Sequence, residues 1–210
     1  ATGAGAWDSV AHPFLPVVYT AERDGAAIGV FAWDAGLQQL APVENEALLG
    51  GSQPIALALG LGGSTLFIAD ATGIVTHARV DPLTGELEAS GGSVVTGSMA
   101  NARLCADPIG RFVFLVQPSA GRVTTLSVMD GSGFPLVTAT STAVTTPVDV
   151  AVSEDGRYVY VLDGDAANVS VFRLDEVSGD LVPVAGGIGV GAGPRLLELA
   201  QVEMLLALKV

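Results

Sequence analysis

One short phrase recurs along this chain of 210 residues at intervals of about 47. Its copies are Val17-Val18-Tyr19-Thr20-Ala21-Glu22, Thr65-Leu66-Phe67-Ile68-Ala69-Asp70, Phe112-Val113-Phe114-Leu115-Val116-Gln117 and Tyr158-Val159-Tyr160-Val161-Leu162-Asp163. Leu205-Leu206-Ala207-Leu208-Lys209-Val210 falls where a fifth copy should begin. The starting positions 17, 65, 112, 158 and 205 are separated by 48, 47, 46 and 47 residues. A repeat of this length built from short strands and turns is the signature of a β-propeller, whose small sheets stack because none can bury its faces alone. The expected fold is therefore all-β, with four-stranded antiparallel blades near 6–52, 53–99, 100–146 and 147–192. The first two strands of an incomplete fifth blade are expected over 193–210.

The fourth repeat shows the plan most plainly. Pro147 to Val152 reads as a strand, and Asp155-Gly156 as a hairpin turn, since Gly adopts positive φ at little cost. Tyr158 to Leu162 is the second strand, and Val169 to Leu174 alternates as a third, half-buried one. Leu181 to Val184 is the outer strand. First strands follow Pro54, Asn101, Pro147 and Pro194, and the earliest is expected at Trp7 to Ala11. The second-strand phrases are almost continuously apolar, as strands covered on both faces should be. The tail from Leu196 to Lys209 lacks Gly and Pro, so local propensity favours a helix where repeat phase favours two strands. Repeat phase is followed here.

Half the residues are hydrophobic and 15% are charged, which excludes a disordered chain. The net charge of −13 disfavours nucleic-acid and anionic-membrane partners, and no apolar run reaches the length of a membrane span. A lone cysteine, Cys105, excludes an internal disulfide and reads as a buried thiol. Composition leaves both a cytoplasmic location and export after leader removal open.

Several motifs carry a family likeness. Asp81 to Leu87 reads Asp-x-x-Thr-Gly-x-Leu, Asp175 to Leu181 is a looser copy, and Ser153 to Val161 reads Ser-x-Asp-Gly-Arg-Tyr-Val-Tyr-Val. With Gly193-Pro194-Arg195 ahead of a first strand, the chain from residue 7 to 210 resembles the lactonase-type seven-bladed propellers. That group includes bacterial 6-phosphogluconolactonase and the YVTN repeat proteins. Seven blades at this period need roughly 330 residues. On that likeness the chain is expected to be a fragment, or one member of an assembly whose remaining blades come from another chain or segment. The enzymes of the family commonly follow Pro-Arg with His and carry Ala-Asn-Tyr after a second strand. Here Leu196 follows Arg195, and the strand ends read Thr20-Ala21-Glu22, Ala69-Asp70-Ala71 and Leu162-Asp163-Gly164.

Opening a lactone requires an activated water and a donor or cation for the developing oxyanion. In a propeller such groups line the central funnel, on first strands and their mouths. Arg103 and Arg195 hold matching places by sequence and suit bidentate binding of a carboxylate or phosphate. Glu198 or Asp149 is the expected proton carrier. Glu22, Asp70 and Asp163 recur at equivalent strand ends, which argues that they cap turns. His12 lies in a turn and His77 on a third strand, so no zinc site is expected, and Asp163-Gly164-Asp165 lacks the further acids of a calcium loop. No metal or cofactor is expected. Two functions remain open: hydrolysis of a sugar lactone, or a non-catalytic propeller that binds a protein or glycan.

Overall fold

The computed structural model describes residues 5–43, 53–97, 99–128, 136–184 and 186–199. Four antiparallel sheets follow one another along the chain. The first contains β1 (Ala6–Ala11), β2 (Val17–Glu22), β3 (Ala27–Asp34) and β4 (Gln39–Pro42). The second contains β5 (Pro54–Gly60), β6 (Thr65–Asp70), β7 (Ile74–Val80) and β8 (Leu87–Val95). The third contains β9 (Arg103–Ala106), β10 (Phe112–Gln117), β11 (Arg122–Ser127) and β12 (Leu136–Ser141). The fourth contains β13 (Pro147–Val152), β14 (Tyr158–Asp163), β15 (Asn168–Leu174) and β16 (Leu181–Pro183), with β17 (Ile188–Gly189) also paired to β15. Apart from β17, strands adjacent in sequence are adjacent in space in every sheet, the meander of a propeller blade. The four apolar phrases coincide with β2, β6, β10 and β14 residue for residue.

Their composition follows from what they touch. Val17, Tyr19 and Ala21 of β2 pack against Leu66 and Ile68 of β6. The alternate residues of β6, Phe67 and Ala69, pack against Val113 and Leu115 of β10. Phe112, Phe114 and Val116 then meet Val159 and Val161 of β14. Successive side chains point to opposite faces, so a strand between two neighbouring blades must be apolar at both parities.

The Asp-x-x-Thr-Gly-x-Leu turn docks one blade on the last. Asp81 Oδ1 accepts from the N–H groups of Leu83 and Thr84, and Asp175 Oδ1 does the same for Val177 and Ser178. This closes the turn and places Gly85 and Gly179 at φ +76° and +77°. A Cβ on Gly85 would lie 2.9 Å from Val17 Cγ2, and one on Gly179 would lie 2.8 Å from Thr125 Cγ2. Glycine is required there twice over, for backbone sign and for close approach.

The expectation for the fifth blade is corrected in part. Residues 190–199 carry neither strand nor helix, so no first strand begins at Pro194. The phrase at Leu205–Val210 lies outside the described residues. Among the described residues there is no α-helix.

Candidate functional site

The first strand of three blades starts with the same irregularity. Pairing with the second strand shifts between Ala6 and Asp8, between Pro54 and Ala56, and between Pro147 and Asp149. Each shift leaves one extra residue, Trp7, Ile55 or Val148, and such bulges re-aim the side chains around them. Val116 pairs with Arg103 as Leu162 pairs with Asp149, so Arg103 shares its register position with Asp8, Ala56 and Asp149. Arg195, which directly follows Pro194, instead corresponds to Val148, which directly follows Pro147. The two arginines are therefore not in matching places, as their sequence context suggested. They stand one position apart.

That offset does not separate them. Arg103 and Arg195 line one cavity of about 350 Å³, together with Trp7, Asn101, Pro118 and Val148. The lining residues cluster where first strands start and second strands end. The Arg23 guanidinium covers the Trp7 ring at 4.6 Å from its centroid, a cation–π contact that leaves the indole 43% exposed. Asn101 takes a left-handed conformation at φ +58°, which Asn tolerates better than most residues. Two of the eight arginines of a chain carrying −13 thus converge on a single concavity. Such a site concentrates positive potential and suits an anion.

The proposed carboxylates stand differently. Glu198 is exposed and is not among the lining residues. Asp149 is buried, its Oδ2 accepting from Leu197 N at 2.7 Å and its Oδ1 from Val150 N at 3.0 Å. Burial pushes the Asp149 carboxyl up from the ordinary range, against the opposing pull of those N–H groups and of the Arg103 charge.

The strand-end acids are caps. Asp163 Oδ1 accepts from Thr146 Oγ1 and from the N–H groups of Asp165 and Ala166, and its Oδ2 accepts from Thr145 N. The calcium-loop appearance of Asp163-Gly164-Asp165 is thus turn chemistry. Asp70 accepts from Gln53 N at 2.7 Å and Thr72 N at 2.6 Å. In the third blade Gln117 takes the place of the acid, and its Oε1 accepts from Arg122 Nε and Thr124 Oγ1. His12 Nδ1 accepts from the N–H groups of Phe14 and Leu15, which fixes its turn. His77 is buried beside Phe67, with ring centroids 6.3 Å apart.

Sequence reasoning missed Trp7, Asn101, Pro118 and Val148 as lining residues. Trp7 carried a usable signal, a large aromatic at the predicted start of an inner strand. The others carried none, since they meet only when separate blades come together.

Comparison with known proteins agrees with this architecture. A sequence model of the family described as "Lactonase, 7-bladed beta-propeller" matches residues 91–197, just over half of the chain. No curated protein matches. Among solved structures, a Bacteroides uniformis protein provisionally named 6-phosphogluconolactonase superposes with TM-score 0.75 at 20% identity, over 94% of this chain and 61% of its own. A Bacteroides fragilis protein of the same provisional name gives 0.77 at 16%, over 90% and 56%. The Pseudomonas aeruginosa periplasmic gluconolactonase PpgL gives 0.70 at 19%, over 92% and 56%. The chain spans about three fifths of the length of these structures. Repeat phase, blade topology and the family match lead to one conclusion: the chain belongs to the lactonase family of seven-bladed β-propellers.

Proposed function

We propose that this propeller hydrolyses a sugar lactone bearing a carboxylate or phosphate. The observation that supports the reading most directly is the shared cavity of Arg103 and Arg195 in a lactonase-family fold. The guanidinium pair holds the anionic group by charge-assisted hydrogen bonds. The exposed face of Trp7 offers a platform for the C–H face of the sugar ring. Water adds to the lactone carbonyl, negative charge builds on its oxygen, and the ring C–O bond breaks with a proton returning to the departing oxygen. The product is the open hydroxy acid. No carboxylate lines the cavity among the described residues, so the attacking water comes from solvent. Catalysis then rests on orientation of the bound lactone.

A panel of δ-lactones with and without an anionic substituent tests this on the full chain, alongside Arg103→Ala and Arg195→Ala. Each variant is expected to lose about 100-fold in kcat/KM on anionic lactones and far less on neutral ones. Equal rates for wild type and both variants would remove the assignment. Because the described lining residues include no His or carboxylate, one other reading is a binding module for an anionic glycan or an acidic protein segment. Saturable binding of sugar acids without turnover of any lactone would support that alternative.

A further inference from the structure

Asp8 and Asp149 make the same pair of bonds in different blades. Asp8 Oδ1 accepts from Ser9 N and its Oδ2 from Leu57 N, both at 2.9 Å. Asp149 Oδ1 accepts from Val150 N at 3.0 Å and its Oδ2 from Leu197 N at 2.7 Å. Leu57 is the third residue after Pro54, and Leu197 the third after Pro194. Each aspartate thus clasps the segment that follows its own blade at one fixed repeat position. In the two intervening blades the aspartate's place is taken by Ala56 and Arg103.

The clasp matters unequally. Leu57 sits within β5, which is already laddered to β6 along its length. Leu197 sits in a segment with no strand pairing among the described residues, and two positions before it stands Arg195. We infer that Asp149 is a positioning residue, seating Arg195 in the cavity by gripping the Leu197 N–H. Its carboxylate also lies in the field of Arg103, so one buried group stands behind both cations. The inference rests on the anion-binding reading of the cavity. It gives Asp149 a task other than carrying a proton.

The sign of one measurement separates these roles. Inorganic phosphate is titrated calorimetrically into the full chain as wild type, Asp149→Ala, Arg195→Ala and the double variant. Removing a negative charge beside two arginines would, by Coulomb's law alone, tighten phosphate. Positioning predicts the opposite, a weakening of about tenfold in Asp149→Ala. It also predicts that Asp149→Ala adds less than about twofold once Arg195 is already alanine. A loss of packing unrelated to Arg195 would persist in that background. Leu197→Pro removes the donor without touching any charge and is expected to reproduce the weakening, which keeps the test open should Asp149→Ala fail to fold. Unchanged or tighter phosphate in both Asp149→Ala and Leu197→Pro would overturn the clasp while leaving the anion site intact. Additive losses, or lost hydrolysis with phosphate affinity retained, would also overturn it. Failure of the wild type to bind phosphate would overturn the anion site and the clasp together.

Discussion

The Tyr19 hydroxyl of the first blade donates to the Gly85 carbonyl of the second at 2.8 Å. Burial raises the phenol to about 12, so it remains a donor throughout the physiological range. In the third blade Phe114 holds the place of Tyr19, two residues into the same strand phrase, and lacks the hydroxyl. Tyr19→Phe is therefore expected to cost about 1–2 kcal/mol by orphaning a buried carbonyl. Gly85→Ala should cost about 1–3 kcal/mol, because the methyl meets Val17 at a positive φ. Urea denaturation of the two variants measures both. An unaltered Gly85→Ala midpoint would contradict the close approach.

Arg111 joins the third blade to the fourth on the opposite end of the strands. Its Nε donates to the fully buried Asp107 carboxylate at 2.8 Å, and an NH2 group donates to the Gly156 carbonyl at 2.8 Å. Glu176 lies 3.5 Å from NH1 but is largely exposed and adds little. Arg111→Ala strands a buried charge, so a loss of about 3–5 kcal/mol is expected. Arg111→Lys should restore only part of it, since one ammonium cannot span both acceptors in the planar fork geometry. Chemical unfolding of the pair of variants checks the ranking.

Asp163 links the ends of two strands in the fourth blade. Burial works against its ionisation, but five N–H and hydroxyl groups outweigh it and hold the carboxyl down at about 2, from the ordinary 3.8. The folded value lies below the unfolded one. Stability from this group is thus fully present above about pH 4 and lost as pH falls through 2, about 2 kcal/mol in all. In Asp163→Asn the unfolding free energy should be lower at neutral pH and fall less steeply over that acid window. A wild-type acid limb that the substitution leaves unchanged would refute the linkage.

Cys105 lies on β9 within the third blade's packing against the fourth. Burial pushes its thiol up to about 12, with Asp149 and Asp107 adding electrostatic opposition to the thiolate. At pH 8 the thiolate fraction is then about one in ten thousand. A disulfide reagent should label the native protein at least about 100-fold more slowly than the urea-unfolded chain. Comparable rates in the two states would show that the thiol is open to solvent.

The strands and turns were legible without coordinates because their causes are local. Continuous apolarity over residues 112–116 reports burial on both faces, and the aspartates at 81 and 175 name their turns through their own side-chain bonds. The role of Asp163 as a cap was also readable, since its repetition in Glu22 and Asp70 marks a structural device. The convergence of Arg103 and Arg195 was expected, but by a false equivalence. Register puts Arg103 level with Asp149, whereas Arg195 follows Pro194 as Val148 follows Pro147.

The sequence alone thus determined the repeat length, the order of strands in each blade and the chemistry of the turns, all of which depend on near neighbours and on period. Tertiary structure decided which side chains face one cavity, that Trp7 joins the two arginines, and that Asp149 grips the segment after its blade. Those relations span whole blades, and the first strands involved carry one-residue irregularities in pairing at Trp7 and Val148. A slip of one residue reverses where a side chain points, and no local pattern along the chain records it.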